Sequence, residues 1–324
     1  MRKETEVRLE LFAENVRAIK KGIATTTGMD RRTAALIYAV RGKTIDRDAI
    51  AETYEMLKKD TGILSAFRES TPLCTTAMLS LEANPKEALD RALEVYGMLK
   101  EVKFRSSPFL AEAAIHIATG TQPKNYKSMA TRMRAFYELM KANSWLHTGA
   151  DDYILAALFA LSGMTEKTAS DRIEKVFQKL KSEFSGKGSV LALAQVMALV
   201  GKTDQMALDR VVALRDVLKK RRMSLARPFI VPIIGILSQL DLSVDTIVQE
   251  ARDVETHLKT QALSLTKTEI HMVATAMVAA TFTKGDSTLV TATALTGAIN
   301  MILAAQMAFI VIVAASASVV ASMK

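Results

Sequence analysis

The chain has 324 residues, of which 49% are hydrophobic and 6% aromatic, with only 14 Gly and 6 Pro. Long β-branched runs bounded by turn residues are absent before the C-terminal segment, which favours an all-helical protein over a mainly β one. The net charge of +9 suits an anionic partner, but no aromatic residues alternate with the basic ones for base stacking. A nucleic-acid partner is therefore not expected.

One local pattern recurs along the chain: an apolar residue followed by Lys, then a short polar loop, then a second apolar segment. Its seven copies are Ile19-Lys20, Leu57-Lys58, Leu99-Lys100, Met140-Lys141, Leu180-Lys181, Leu218-Lys219 and Leu258-Lys259. They are separated by 38, 42, 41, 40, 38 and 40 residues, a period typical of stacked helical hairpins. We predict an all-α fold, a superhelical array of about seven antiparallel helical hairpins. A Lys in the last turn of each first helix complements the helix dipole.

Helix signals place the first three pairs. Gly28 is expected to break the chain before the apolar segment 34–40. The second pair runs from Thr44 to Glu82, with Asp46 or Asp48 as the cap, and its second helix begins near Pro72. The third pair opens at Asn84-Pro85, a cap followed by a residue suited to the first helical position.

The later pairs begin near Lys124, Thr165, Lys202 and Ser243. The fifth pair turns at SGKGS (185–189), which lacks the spacing of a phosphate loop and has no strand before it. We interpret it as a flexible turn. A Pro228–Pro232 interruption is expected in the second helix of the sixth pair, and the last helix is expected to end near Thr283.

The two helices of each predicted pair differ in kind. The first is amphipathic, whereas the second is apolar nearly all round, as in VLALAQVMALV (190–200). A helix that is apolar on every side is buried on more than one side. Something must therefore cover the second helices.

The C-terminal tail has two possible roles. Residues 287–323 carry no charge, and the 22 residues 299–320 would form a helix about 33 Å long, enough to cross a bilayer. We predict two segments, a repeat domain (1–284) and an apolar helical tail (285–324) that packs on the second helices. The alternative is a membrane anchor.

Several motifs resemble an uncharacterised bacterial family, the domain of unknown function numbered four thousand and three. They are Phe67-Arg68, Phe104-Arg105, GADDYILAALFAL (149–161) and the Ala- and Met-rich end. Relatives often have Gly-Asp-Asp-Tyr-Pro where this chain has Gly149-Ala150-Asp151-Asp152-Tyr153-Ile154. The resemblance covers most of the chain and implies the helical architecture, but it brings no activity or catalytic residues.

Polar residues gather where each predicted second helix begins. Stacked repeats would align them along one rim, where a groove could bind a partner or a small anion. The candidate ligand-binding residues are Arg68, Arg105, His147, Asp151, Asp152, Tyr153 and Arg227. The competing interpretation is that these are ordinary loop and helix-capping residues.

Few residues suggest chemistry. His147 with Asp151 and Asp152 is the one tight carboxylate–imidazole cluster, Glu112 and His116 share a helix face, and Cys74 is interpreted as a packed thiol. No HExxH, GxSxG or GxGxxG motif is present. The sequence therefore predicts no cofactor and no metal site, and it leaves enzymatic activity open.

These observations favour a cytoplasmic helical-repeat scaffold that binds a protein or peptide. Two alternatives remain: a small-ligand or metal-dependent enzyme or receptor that uses the polar rim, and a tail-anchored membrane protein bound through 299–320. A single cysteine suits a reducing compartment. The oligomeric state is left open.

Overall fold

A computed structural model of the chain describes residues 1–22, 27–69, 72–143, 148–223 and 231–283. Over these residues the chain is all-helical, as predicted, with fourteen α-helices, two short 3-10 helices and no strand. The helices are α1 (Lys3–Gly22), α2 (Gly28–Val40), α3 (Arg47–Asp60), α4 (Pro72–Ser80), α5 (Pro85–Glu101), α6 (Pro108–Gly120), α7 (Tyr126–Asn143), α8 (Tyr153–Leu161), α9 (Glu166–Leu180), α10 (Lys187–Val200), α11 (Gln205–Lys220), α12 (Val231–Leu237), α13 (Val244–Thr260) and α14 (Lys267–Phe282).

Capping residues explain several helix starts. The Asn84 side chain accepts a hydrogen bond from the backbone N–H of Glu87 at the start of α5 (3.2 Å). The Ser243 hydroxyl accepts one from the N–H of Thr246 at the start of α13 (3.1 Å). Asp46 caps α3. Each cap satisfies a donor that has no partner inside the helix, and these predicted starts are confirmed.

Two predicted boundaries are wrong. Gly28 does not break the chain before 34–40 but is the first residue of α2, because the Thr27 hydroxyl accepts from the N–H of Asp30 (3.2 Å) and starts the helix early. The turn at 185–189 is shorter than expected, since α10 begins at Lys187. Gly186, with φ +88°, makes that sharp entry, because glycine adopts positive φ at little cost.

The described residues fall into two compact units. Among the described residues, one unit combines Met1–Ala13, Val40–Gly42 and 167–283, and the other combines Glu14–Ala39 and Lys43–Glu166. In the second unit α5 packs against α3 and α7, while α6 packs against α4 and α8. In the first unit α11 packs against α13, and α12 packs against α10 and α14. Within each unit, alternate helices are therefore neighbours.

The second helices are buried on several sides, as their composition predicts. In α14 every residue from Glu269 to Ala280 is buried, whereas α9 buries only Ala169, Ile173, Val176 and Leu180. This difference matches the predicted division between apolar and amphipathic helices.

Arginines at equivalent positions join the two helices of a pair. Arg132, Arg172 and Arg210 each lie eight residues before the apolar residue of the repeated apolar-Lys pattern; we call them the strut arginines. Arg132 Nε donates to the carbonyl oxygen of Ala160 (3.1 Å) and Arg172 Nη1 to that of Ala198 (3.3 Å). Arg210 Nη2 donates to that of Leu240 (2.6 Å). Each arginine satisfies carbonyls where the second helix ends.

Two first helices also end alike. Lys103 and Arg222 each lie four residues after the repeated leucine and have positive φ, +70° and +56°. The next residue donates back to that leucine, from Phe104 to Leu99 (3.1 Å) and from Met223 to Leu218 (3.0 Å). The left-handed residue reverses the chain and satisfies a terminal carbonyl.

The predicted tail, 285–324, lies outside the described residues, as do the Pro228 part of the sixth pair and residues 145–147 of the turn at 145–153. Within the described ranges, no helix combines the length and the apolar character needed to cross a membrane.

Candidate functional site

The structure separates the candidate rim residues by role. His147 and Arg227 lie outside the described residues. Arg68 closes the C-terminal end of α3, because its Nη1 donates to the carbonyl oxygens of Lys58 (3.2 Å) and Thr61 (3.3 Å). Arg68 therefore has a structural contact of the kind that the competing interpretation predicts.

The other candidates meet at the start of α8. Asp151 and Asp152 lie in a 3-10 helix (Ala150–Asp152) directly before Tyr153. The N–H of Gly149 donates to Asp152 Oδ2 (3.0 Å), and the N–H of Arg105 donates to the Tyr153 hydroxyl (3.4 Å). Arg105 itself is exposed. The site therefore gathers four of the seven predicted residues.

Three aromatic rings form the wall beside these acids; we call Phe104, Tyr137 and Tyr153 the aromatic trio. Their ring centroids are 4.8 Å apart for Phe104 and Tyr153, 5.0 Å for Tyr137 and Tyr153, and 5.4 Å for Phe104 and Tyr137. The two pairs that include Tyr153 are edge-to-face, a geometry that is favourable beyond the area that it buries, and the Phe104–Tyr137 pair is tilted. The guanidinium of Arg134 lies over Phe104 at 5.4 Å and over Tyr137 at 5.7 Å. Each ring of the aromatic trio therefore contacts the other two rings, and two of the rings also contact Arg134.

The acids beside the trio have unusual proton affinities. Burial, helped by the neighbouring charge of Asp151, raises the pKa of Asp152 from 3.8 to about 7, although the N–H of Gly149 opposes the rise. Burial also raises the pKa of Tyr137 to about 12, and the neighbouring Tyr153 and Asp152 add to this. Asp152 is therefore a carboxyl group that changes charge near neutral pH.

Replacing Asp152→Asn is expected to stabilise the protein at pH 8. Between pH 4 and 7 the folded state keeps a proton on Asp152 that the unfolded chain has already lost, so the free energy of unfolding falls as the pH rises through this window. Asn avoids that penalty and can still accept from Gly149. We expect a gain of about 1–3 kcal/mol at pH 8 that disappears by about pH 4. Urea unfolding at several pH values measures it.

The control for this prediction is Asp171→Asn. Asp171 is exposed and pairs with Lys167 on the same helix (3.1 Å), so its replacement should change the free energy of unfolding by less than about 0.5 kcal/mol. A loss of stability for Asp152→Asn at pH 8 would contradict the assignment of a raised pKa to Asp152.

A second group of polar side chains is buried among α2, α4 and α6. Asp30, only 1% exposed, accepts from the N–H groups of Leu73 (3.1 Å) and Cys74 (3.2 Å) and from the Cys74 thiol (3.2 Å). Burial raises the pKa of Asp30 to about 6, although these donors oppose the rise. Asp30 thus caps α4 from a different helix, across 43 residues of sequence.

Cys74 is expected to be nearly inert in the folded protein. Burial and the charges of Asp30 and Glu112 raise the pKa of its thiol well above the ordinary value, so little reactive thiolate forms. As the chain's single cysteine, it can be followed with Ellman's reagent. We expect reaction roughly 100-fold slower in native protein than in denaturant. Rapid labelling of one equivalent in native protein, at an unchanged circular dichroism signal, is the contrary result.

Two histidine–glutamate pairs are also buried. In α6, His116 Nε2 lies 3.6 Å from Glu112 Oε1, and burial raises the pKa of Glu112 well above the ordinary value. Between α13 and α14, His271 Nδ1 is hydrogen-bonded to Glu255 Oε1, while His271 Nε2 is buried with no hydrogen-bond partner in the described structure. Across the described ranges, no group of three or more His, Cys, Asp or Glu is arranged to hold a metal ion.

An acid on α13 holds the first turn of α1. Glu250, 6% exposed, stands eight residues before Leu258, where the strut arginines stand in their pairs. Its carboxylate accepts from the N–H of Arg2 (3.0 Å) and from the Thr5 hydroxyl (3.1 Å). The strut arginines donate to carbonyl oxygens at helix ends, whereas Glu250 meets hydrogen-bond donors at a helix start. A carboxylate suits this position because it accepts hydrogen bonds and is stabilised near a helix N-terminus.

Comparison with known proteins yields one family. Its description is "Protein of unknown function (DUF4003)", and its model matches residues 17–308 of the chain. No curated protein and no solved structure matches the chain.

Proposed function

We propose that this chain, which belongs to the DUF4003 family of proteins of unknown function, is a helical-repeat scaffold that binds a protein or peptide partner. In this proposal the described helices are successive copies of one hairpin in a superhelical array. The observation that carries it is the recurrence of the strut arginines, each joining a first helix to the end of a second helix.

Contacts between successive pairs support the same proposal. Phe67, after α3, packs on Tyr96 of α5, and Phe104, after α5, packs on Tyr137 of α7, with ring centroids 5.4 Å apart in both cases. Phe184, after α9, lies 5.3 Å below the guanidinium of Arg215 in α11. Tyr96, Tyr137 and Arg215 each precede the repeated apolar residue by three. Three residues at the same position of the repeated pattern therefore each contact a Phe that follows the preceding first helix.

A superhelical array of helical hairpins presents its helix ends at regular intervals. Stability in repeat arrays comes from contacts within and between neighbouring units, which leaves an extended edge for binding. The first helices α3, α5, α11 and α13 carry Lys in their last turn. In the proposal, the partner lies along these ends.

Photo-crosslinking tests this proposal. A benzophenone amino acid replaces either Lys220, at the end of α11, or Lys124. Lys124 is exposed in the short 3-10 helix (Pro123–Asn125) that directly precedes α7, and so lies at the start of a first helix rather than at its end. We expect a discrete covalent adduct with a cellular protein from position 220 and a far weaker one from 124. Equal, diffuse adducts from both positions, or no protein adduct, would count against a scaffold.

A second candidate function rests on Asp152. A carboxyl with a pKa near 7 beside phenol groups would gain its charge when a small cationic ligand, such as a polyamine, binds. Calorimetric titration with spermidine tests this function: binding that is lost in Asp152→Asn supports it, and no heat, or unchanged heat in the variant, excludes it.

The tail, 285–324, keeps its two predicted roles in this proposal: a cover for the second helices or an anchor at the cytoplasmic face of a membrane. Fractionation of cells expressing the full chain and the chain ending at residue 284 distinguishes them. A cover predicts that the truncated form aggregates. An anchor predicts a membrane-bound full chain and a truncated form that is soluble and cooperative on melting.

A further inference from the structure

The ends of α9, α11 and α13 carry a group of six cationic residues, four of them consecutive at 219–222. We define the basic edge as Lys181, Lys219, Lys220, Arg221, Arg222 and Lys259. All six residues are exposed, and none has an ion-pair partner among the described residues. The nearby acid Glu183 is already paired with Arg215 (2.8 Å). Lys181 Nζ donates a hydrogen bond to Gln178 Oε1, a neutral group that leaves the lysine charge uncompensated. An edge of cations without ion-pair partners attracts an anionic partner.

Contacts within the first unit bring these ends side by side. Arg215 of α11 reaches back to the turn after α9, where it meets Glu183 and Phe184, and α11 packs against α13. Packed helices lie about 8–10 Å apart. The cations of successive helix ends should therefore repeat at about that interval.

We infer that the basic edge binds an extended acidic peptide with a carboxylate at every third residue. This inference rests on the proposed function and names the partner's chemistry. In the extended polyproline II conformation, which has three residues per turn and rises about 3.1 Å per residue, every third side chain lies on the same face and recurs about every 9 Å. This interval is close to the spacing of packed helices, about 8–10 Å. Arg221 and Arg222 add guanidinium groups, whose paired donors fit a carboxylate.

Other anionic partners fit this edge less well. Single-stranded nucleic acid binds where bases stack on aromatic faces, but the Phe184 ring already lies beneath Arg215. Membrane surfaces are bound by cations together with inserted apolar side chains. The large apolar residues exposed in the described ranges are Val7, Ile63, Leu64 and Met206; Met206 is on α11 but in its first turn, at the other end from Lys219.

Fluorescence anisotropy with the full chain tests the inference. The probes are a labelled twelve-residue peptide with Asp at every third position and a peptide of identical composition with the acids clustered. We expect the spaced peptide to bind at least fivefold more tightly. Raising the salt from about 0.05 M to about 0.5 M should weaken it strongly, because screening shortens the reach of surface charges.

The variant Lys219→Gln/Lys220→Gln should lose at least fivefold in affinity for the spaced peptide. Its matched control, Lys124→Gln/Lys127→Gln, removes two exposed lysines at the start of the fourth pair and should bind normally. Circular dichroism and melting verify that both variants fold. Equal loss in both variants would overturn the inference, because binding would then depend on net charge alone.

Two further probes separate the inference from its rivals. A single-stranded RNA oligonucleotide or phosphatidylserine vesicles that bind through Lys219 and Lys220, while neither peptide binds, would overturn it. A protein adduct from position 220 without acidic-peptide binding would also overturn it and would leave the scaffold proposal standing. Loss of the adduct together with peptide binding at the edge would support the inference while refuting the cellular scaffold role.

Discussion

His271→Leu is expected to lower the free energy of unfolding by about 3–5 kcal/mol at pH 7.5, because it removes one partner of a buried pair. His271 and Glu255 are each 6% exposed and bonded to each other. Leu has a similar volume, so the loss comes mainly from a buried carboxyl group left without its hydrogen bond. Urea unfolding followed by circular dichroism measures the change.

The double variant Glu255→Leu/His271→Leu is the control for this mechanism. Replacing both partners by apolar residues removes the unsatisfied group as well as the bond, and such exchanges are often close to neutral. We expect the double variant to be more stable than His271→Leu alone by at least about 1.5 kcal/mol. If the two single losses simply add, the pair does not act as a unit and the prediction is wrong.

Arg210→Met is expected to lower the free energy of unfolding by about 2–3 kcal/mol. Arg210 Nη2 donates to the carbonyl oxygens of Leu240 and Leu242, beyond the end of α12. Hydrogen bonds donated by a charged group are stronger than those between neutral groups. Met keeps most of the packing made by the aliphatic part of the Arg210 side chain, so the expected loss comes mainly from the hydrogen bonds. Thermal and urea unfolding of the variant measure the loss.

Arg252→Met is the matched control, because Arg252 is exposed on the neighbouring helix α13. Its loss should stay below about 0.5 kcal/mol. The strut arginines should also rank by their bonds, so Arg172→Met, which breaks one bond of 3.3 Å, should cost less than Arg210→Met. Equal effects for Arg210 and Arg252 would show that the strut contacts do not stabilise the fold.

Sequence reasoning located helices well where a cap and an apolar stripe coincide. Asn84-Pro85 and Ser243 marked their helix starts because capping is a local interaction that only a few residue types provide. It placed the start of α2 too late, because Gly28 weighed as a breaker while Thr27 supplied the cap. Glycine costs less stability at a helix start than in a helix interior. The sequence pattern alone does not show whether the helix-breaking tendency of Gly28 or the cap from Thr27 is the stronger effect.

The candidate site was predictable in part for the same reason. Asp151, Asp152 and Tyr153 are consecutive, so their proximity was certain, and the echo of Phe67-Arg68 in Phe104-Arg105 marked the loop that meets them. The contribution of Tyr137 was not predictable, because it comes from another helix. The raised pKa of Asp152 depends on burial, which short motifs do not encode.

Two of the buried polar contacts, Asp30 with Cys74 and Glu255 with His271, were not predictable because the partners are distant in sequence. Asp30 meets Cys74 across 44 residues, and Glu255 meets His271 across 16 residues and a change of helix. The available signal was an acid or histidine inside an apolar second helix, as at Glu112 and His271. Such residues need a partner when buried, but only the packing of the helices identifies it.

In the proposed array, successive first helices end side by side, so that their lysines form one row. Cysteines introduced in pairs at positions 181, 219 and 259, in a Cys74→Ala background, can each carry a spin label. Pulsed electron paramagnetic resonance then measures the distance between the two labels of each pair. We expect similar distances for 181–219 and 219–259, and a distance for 181–259 that exceeds both by about 8–10 Å, the spacing of packed helices. A 181–259 distance equal to or shorter than the other two would contradict it.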